Sequence, residues 1–216
     1  DAKLLPSGDL GIYPLYLEQQ VPNKFTTFNL RVAFIDNLDS FSHNIVHAIA
    51  SHGCEVDIID GRGPVIELNH DAIVIGPGPG RPEISPLTMA IAQKALADDT
   101  PVLGICLGHQ ALGIADGMEL IKCPQGPVHG VPSKIHSNGN GLLPKGHTVM
   151  TRYNSLILTG KPNSLSITST DETGKLPMAV TNHHSQTYGV QFHPESIGSP
   201  EGMALLGEFL LRASHC

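Results

Sequence analysis

Several absences narrow what this chain can do. Its longest apolar runs are strand-length, well short of the roughly 20 residues a bilayer span needs, and no basic start leading into an apolar signal core opens it. No run of Lys or Arg occurs, and 13 basic residues stand against 20 acidic ones for a formal charge of −7. Nucleic acid and membrane are therefore not expected as partners, and a cytoplasmic location is expected. Cysteine is scarce. Cys54, Cys106, Cys123 and Cys216 show no C-x-x-C spacing, so neither a zinc knuckle nor a disulfide framework is indicated, and reduced thiols fit the same compartment. His183 and His184 lack a third ligand at a convincing spacing, and no metal is expected in the chain. Internal repeats are absent as well.

What is present is a chain with enough apolar residues, 40% of 216, to bury one substantial core. The first thirty residues carry Pro6, Gly8, Gly11, Pro14 and Pro22 with no sustained period, which reads as an arm or linker over residues 1–30. The first residue is Asp rather than Met, so the sequence is expected to be a processed, trimmed or excised piece. From Leu30 the character changes. Residues 31–35 form a β-type apolar run, 36–40 a turn rich in helix-capping residues, and 41–52 repeat apolar residues at 41, 45, 46 and 49, with Gly53 placed to end the helix. Residues 55–59 and 72–75 read as strands, 86–97 as a helix, and the stretch after Pro101 as a strand followed by a helix. This alternation predicts a doubly wound α/β fold, its mostly parallel sheet flanked by helices.

The second half differs in kind. Residues 123–146 hold many Gly, Pro, His and Asn with little periodicity, and read as loop. Short strands are expected at 147–151, 155–158, 164–169, 177–181 and 188–192, as antiparallel additions to the core. A closing helix is expected over 200–214, with apolar residues at 203, 205, 206, 209 and 210.

Within this frame, Cys106 lies between Gly104 and Gly108 where the apolar run gives way to a helix. That is the layout of a nucleophile elbow, in which flanking glycines permit a tight turn and leave a strained nucleophile exposed. The helix starting at Leu107 supplies an unpaired N–H and the positive end of its dipole, which favour a thiolate and a developing oxyanion. Taken alone, such a cysteine is more often packing than catalysis, because free Cys behaves as a small hydrophobe. A partner is found in Tyr188-Gly-Val-Gln-Phe-His-Pro-Glu-Ser196. Residues two apart on an extended segment point the same way, so His193 and Glu195 can present an imidazole and the carboxylate that orients it. The loop Gly76-Pro-Gly-Pro-Gly80 follows a buried strand, and its glycines let backbone N–H groups approach a bound oxygen. It matches neither G-x-G-x-x-G nor a P-loop; a weak phosphate cradle and a rigid turn both remain open. In an open α/β sheet this loop and Cys106 would share the crevice outside the carboxyl ends of the strands. His43 and His47, at helical spacing, read as surface residues.

Together these segments resemble the class I (triad) glutamine amidotransferases, a family with a flavodoxin-like fold. The likeness runs from about residue 31 to 212. It is carried by Phe34-Ile-Asp-Asn-Leu-Asp-Ser-Phe41, Gly76-Pro-Gly-Pro-Gly80, Gly104-Ile-Cys-Leu-Gly-His-Gln110, Val128-His-Gly130, Arg152-Tyr-Asn-Ser-Leu156 and Gly189-Val-Gln-Phe-His-Pro-Glu-Ser196. The Asp-Asn-x-Asp-Ser-Phe and Tyr-x-Ser-Leu segments resemble in particular the amidotransferase component of anthranilate and aminodeoxychorismate synthases. The resemblance implies an amidotransferase domain over 31–216, with Cys106 as nucleophile, His193 as general base and then acid, and Glu195 holding the imidazole tautomer. It further implies an oxyanion hole from the N–H groups of Gly78 and Leu107, and L-glutamine held by Gly80, Gln110, Ser155 and Leu156.

The implied reaction is hydrolysis of glutamine to glutamate and ammonia through a cysteine thioester. Ammonia would be channelled to a chorismate-using synthase, present as a separate chain or a fused domain; no cofactor is expected in this chain, and magnesium is expected in the synthase partner. Asn154 departs from the pattern, since relatives usually carry His there. The arm before Leu30 would suit the tail of a linker from a fused synthase domain, as in phenazine-pathway aminodeoxyisochorismate synthases. Three other classes compete: a partner-independent cysteine hydrolase of γ-glutamyl or peptide substrates, a binding module on the same fold, and a flavodoxin-like nucleotide binder.

Overall fold

The computed structural model describes residues 27–215; the expectation of an arm over 1–30 falls mainly on residues 1–26, outside the described residues. The parallel core is built from β1 (Arg31–Asp36), β2 (Glu55–Asp60), β3 (Ala72–Ile75), β4 (Val102–Ile105) and β11 (Thr187–Val190), in the order β2-β1-β3-β4-β11. Each pairing within that block is parallel. The helices are α1 (Ser42–Ala50), α2 (Pro86–Ala95), α3 (Leu107–Ala115) and α4 (Gly202–Ala213). Period-two alternation in β1 explains how both faces are covered. Val32 and Phe34 pack with Ile45 and Ile49 of α1 and Leu206 and Phe209 of α4, whereas Ala33 and Ile35 pack with Leu87 and Ile91 of α2 and Leu112 of α3. Each fully buried side chain of this size contributes about 1.5–3 kcal/mol. The fold is therefore the doubly wound α/β arrangement expected.

The sheet continues past β11 through β10 (Pro177–Asn182), β9 (Ser166–Asp171), β6 (Val131–Ser137) and β7 (Gly146–Arg152), all joined antiparallel. β5 (Glu119–Lys122) and β8 (Leu156–Thr159) form a separate antiparallel pair. Three details differ from the sequence reading. Residues 131–137, read as loop, form β6: Val-Pro-Ser-Lys-Ile-His-Ser buries little more than Ile135 and Ser137, so it shows almost no apolar alternation. Residues 187–190 are antiparallel to β10 on one side but parallel to β4 on the other, with Val190 opposite Ile105. Phe41, counted among the apolar residues of the first helix, stays 44% exposed; α1 buries Ser42, Ile45, Ala48 and Ile49 instead.

Candidate active site

At the carboxyl end of β4 the chain reverses through one residue. Cys106 has φ 51° and ψ −97°, a conformation costly for a side-chain-bearing residue, and α3 begins at the next position. The flanking glycines are forced by contact. A Cβ on Gly104 would lie 2.5 Å from the Gly108 carbonyl carbon, and one on Gly108 would overlap the Ile75 carbonyl of β3. The turn is tied on both sides: Cys106 N–H donates to Val190 O at 2.8 Å, and Gln110 N–H donates to Cys106 O at 3.1 Å. Cys106 is only 6% exposed, so the elbow holds its thiol against the sheet rather than out in solvent.

The parallel pairing of β11 with β4 carries residues 191–193 alongside this turn. His193 N–H donates to Thr151 O at 2.9 Å, and Ser199 Oγ, which accepts from Thr151 N–H at 2.9 Å, donates to His193 O at 2.6 Å. The imidazole Nδ1 lies 2.6 Å from Glu195 Oε1, and both side chains are 2% exposed. This contact is made by a turn at Pro194 and Glu195, closed by Ser196 N–H to His193 O, and not by the extended segment expected. With Nδ1 committed to the carboxylate, Nε2 is buried with no hydrogen-bond partner among the described residues and is left to act on the thiol. Burial opposes protonation of the ring, but Cys106 and Glu195 outweigh it and raise the imidazole from 6.5 to about 10. Tyr153 closes over the ring edge-on at 5.0 Å and packs in turn on Phe41 at 5.7 Å.

The loop after β3 runs beside the same turn. Gly78 packs against Asn37, where a Cβ would come within 2.5 Å of the Asn37 Cβ and carbonyl oxygen. Asn37, buried at the carboxyl end of β1, donates from Nδ2 to Gly76 O at 3.2 Å and accepts from Thr88 Oγ1 at 2.8 Å. These bonds give a purpose to a residue whose sequence context marks it only as part of a motif. Neither Gly78 N–H nor Leu107 N–H donates to an acceptor among the described residues, which leaves both for an incoming oxygen. Gly80 adopts φ +81°, at the exposed end of the loop.

The remaining expected residues fall on the other flank. Gln110 is buried on α3 and donates from Nε2 to Leu156 O at 3.1 Å and to Gln191 Oε1 at 3.1 Å. Ser155 is exposed, and its carbonyl accepts from Cys123 N–H at 2.9 Å. Asn154 donates to Leu156 O at 2.9 Å and accepts from the guanidinium Nε of Arg152 at 3.1 Å, so it ties the 154–156 segment to Arg152. His109, beside the elbow, is fully buried against Gly189; burial presses it down to about 3 and it stays neutral. Gln191, Asn37 and Ser199 are the contributors that the sequence reading missed, because each acts across a long separation that no local pattern records.

A cavity of about 250 Å³ lined by Phe41, Asn44, Tyr153, Glu195, Ser196 and Ile197 opens at the Glu195 end of this arrangement. A larger, mainly apolar cavity, about 390 Å³, lies between α2 and residues 65–68 at the opposite, amino ends of β3 and β4, and its lining includes neither cysteine nor histidine. Among the described residues no group of three or more His, Cys, Asp or Glu side chains is placed to hold a metal ion, and no helix is long and apolar enough to cross a membrane.

The profile of the family described as glutamine amidotransferase class-I matches residues 33–213. The chain belongs to that family. The amidotransferase is 38% identical over 190 residues to the "Bifunctional protein TrpGD" of Thermotoga maritima, covering 83% of this chain and 32% of that protein. It is 37% identical over 189 residues to the "Anthranilate synthase component 2" of Pyropia yezoensis, covering 83% of this chain and 98% of that one. It thus spans a third or less of the first curated relatives it matches, and nearly all of a component-2 chain. Among solved structures, a glutamine amidotransferase from Thermotoga maritima superposes with a TM-score of 0.69 at 18% identity, over 87% of this chain and 99% of that one. That likeness shows the fold.

Proposed function

We propose that the amidotransferase hydrolyses L-glutamine to glutamate and ammonia through a γ-glutamyl thioester on Cys106. The observation that carries this is the strained Cys106 elbow facing a buried His193–Glu195 pair, with unused N–H groups of Leu107 and Gly78 beside it. With the imidazole raised to about 10, His193 is protonated at neutral pH and stands as the acid beside Cys106, which attacks as the thiolate. The thiolate attacks the side-chain amide carbon of glutamine, and the N–H groups of Leu107 and Gly78 hold the developing oxyanion, worth roughly 3 kcal/mol per donor in comparable sites. Imidazolium gives its proton to the leaving nitrogen and ammonia departs. The neutral ring then takes a proton from water as it attacks the thioester. Collapse expels the thiolate, re-forms the ion pair and releases glutamic acid, which ionises in water. Glu195 holds the ring in one tautomer and carries the counter-charge throughout. Gly80, Gln110, Ser155 and Leu156 hold the substrate. Since Leu156 O already accepts two hydrogen bonds, this segment serves glutamine through its remaining groups.

Ammonia in neutral water is mostly protonated and lost as a nucleophile, so the product is useful only where a partner receives it directly. The motifs shared with anthranilate and aminodeoxychorismate synthases, and a relative named anthranilate synthase component 2, support a chorismate-using synthase as that partner. Apolar Phe41 and Ile197, 44% and 95% exposed at the rim of the cavity beside Glu195, supply a surface for it. The test incubates the protein with glutamine, quenches in acid and maps the adduct by mass spectrometry, then adds candidate chorismate-using synthases and identifies the aminated product. A γ-glutamyl adduct on Cys106 and synthase-dependent amination are expected. Rapid turnover of γ-glutamyl peptides without any partner, and no amination with one, would overturn the reading in favour of a free-standing hydrolase.

A further inference from the structure

We propose that Gln191 is a third activating group of the nucleophile: its side-chain amide donates a hydrogen bond to Cys106 Sγ and stabilises the thiolate. This deepens the proposed function and rests on it for its role in turnover. Gln191 follows β11, is fully buried, and has its backbone fixed by N–H donation to Met178 O at 2.9 Å. Its Nε2 lies 3.6 Å from Cys106 Sγ.

The orientation of the amide is settled by its neighbours. Leu156 O is a carbonyl and can only accept, so the Gln110 side-chain atom 3.1 Å from it is the nitrogen. That same nitrogen lies 3.1 Å from the Gln191 side chain, which must present its oxygen there, since two NH₂ groups would repel. Gln191 is left with only its NH₂ to turn toward sulfur. A flip of either amide would set carbonyl oxygens against the Leu156 carbonyl or against the thiolate. The result is a relay, Leu156 C=O to Gln110 to Gln191 to Cys106, whose two linking amides are buried and carry no charge at any pH. Imidazolium supplies a charge to the sulfur; Gln191 supplies a fixed dipole. The far end of the relay is the carbonyl of Leu156, so the orientation of the sulfur is tied to the segment proposed to hold glutamine.

The test measures the pH profile of Cys106 alkylation by iodoacetamide without glutamine, followed by kcat and KM for glutamine. Gln191→Met keeps the length and removes the donor. At mildly acidic pH it should alkylate about 10- to 100-fold more slowly than wild type and converge with it at high pH, where the thiolate forms without help. Gln191→Glu, which still accepts from Gln110 but sets a carboxylate against sulfur, should slow it further. kcat should fall in the same order, with KM within about twofold. If Gln191→Met does not fold, Gln110→Met frees the Gln191 amide to turn and should move the alkylation profile in the same direction by less. A Gln191→Met profile superimposable on wild type, or a raised KM with kcat intact, would overturn the proposal. Alkylation needs no substrate, so a wild-type chain that never hydrolyses glutamine defeats the proposed function and still leaves this test of Gln191.

Discussion

Replacing Glu195 by Gln probes the charge beneath the imidazole with little change in shape. Glu195 Oε1 and His193 Nδ1 are 2.6 Å apart and both side chains are 2% exposed, so solvent screens the pair poorly. With charge centres about 4 Å apart and an effective dielectric of about 20, the attraction is about 4 kcal/mol. Loss of it lowers the imidazole from about 10, with the contribution of Cys106 left in place, and weakens the protonated state of His193 that the proposed acid step needs. The amide can also present NH₂ to Nδ1 and impose the wrong tautomer. We expect kcat/KM for glutamine, followed by glutamate release, to fall by roughly 100- to 1,000-fold. Stability gives an independent readout. A histidine raised on folding contributes stability that is fully present below about 6.5 and is lost as pH rises through about 10. Glu195→Gln should therefore melt well below wild type at mildly acidic pH, and the gap should close as pH approaches 10. A loss of activity under about fivefold, or a melting gap independent of pH, would refute the reasoning.

Two further outcomes follow from packing. Gly108→Ala places a methyl group on the Ile75 carbonyl and should cost about 3 kcal/mol or more by chemical denaturation, whereas an unchanged midpoint would mean that α3 is not pressed against β3 as described. Asn37→Leu removes the donor to Gly76 O and the acceptor for Thr88, loosening the loop that carries Gly78; kcat should fall roughly 10-fold or more with a smaller change in KM, and equal kcat would show that the loop holds its shape without Asn37.

The parallel core was legible because its strands are short, wholly apolar runs separated by helical periods, as in Ala72–Ile75 followed by α2. Cys106 was legible because contact with Gly108 and Ile75 admits only glycine at positions 104 and 108. The pair His193 and Glu195 was found from its spacing, although a turn rather than a strand brings the two together. β6 was hidden because its exposed Val131, Pro132, Lys134 and His136 supply no alternating pattern. Gln110 was expected to hold glutamine; what the sequence did not display is that its side chain also bonds Leu156 and Gln191, 46 and 81 residues away, the second brought beside it by the parallel pairing of β11 with β4. Asn37 meets Gly76 and Thr88 for the same reason: β1 and β3 are neighbours in the sheet and not in the chain.

The most direct test of the central claim compares Cys106→Ala with wild type, each paired with a candidate chorismate-using synthase that wild type supports, supplied first with glutamine and then with ammonium at raised pH. The account predicts that glutamine-dependent synthesis disappears while ammonium-dependent synthesis is unchanged. Glutamine-dependent synthesis that survives loss of Cys106 would contradict it.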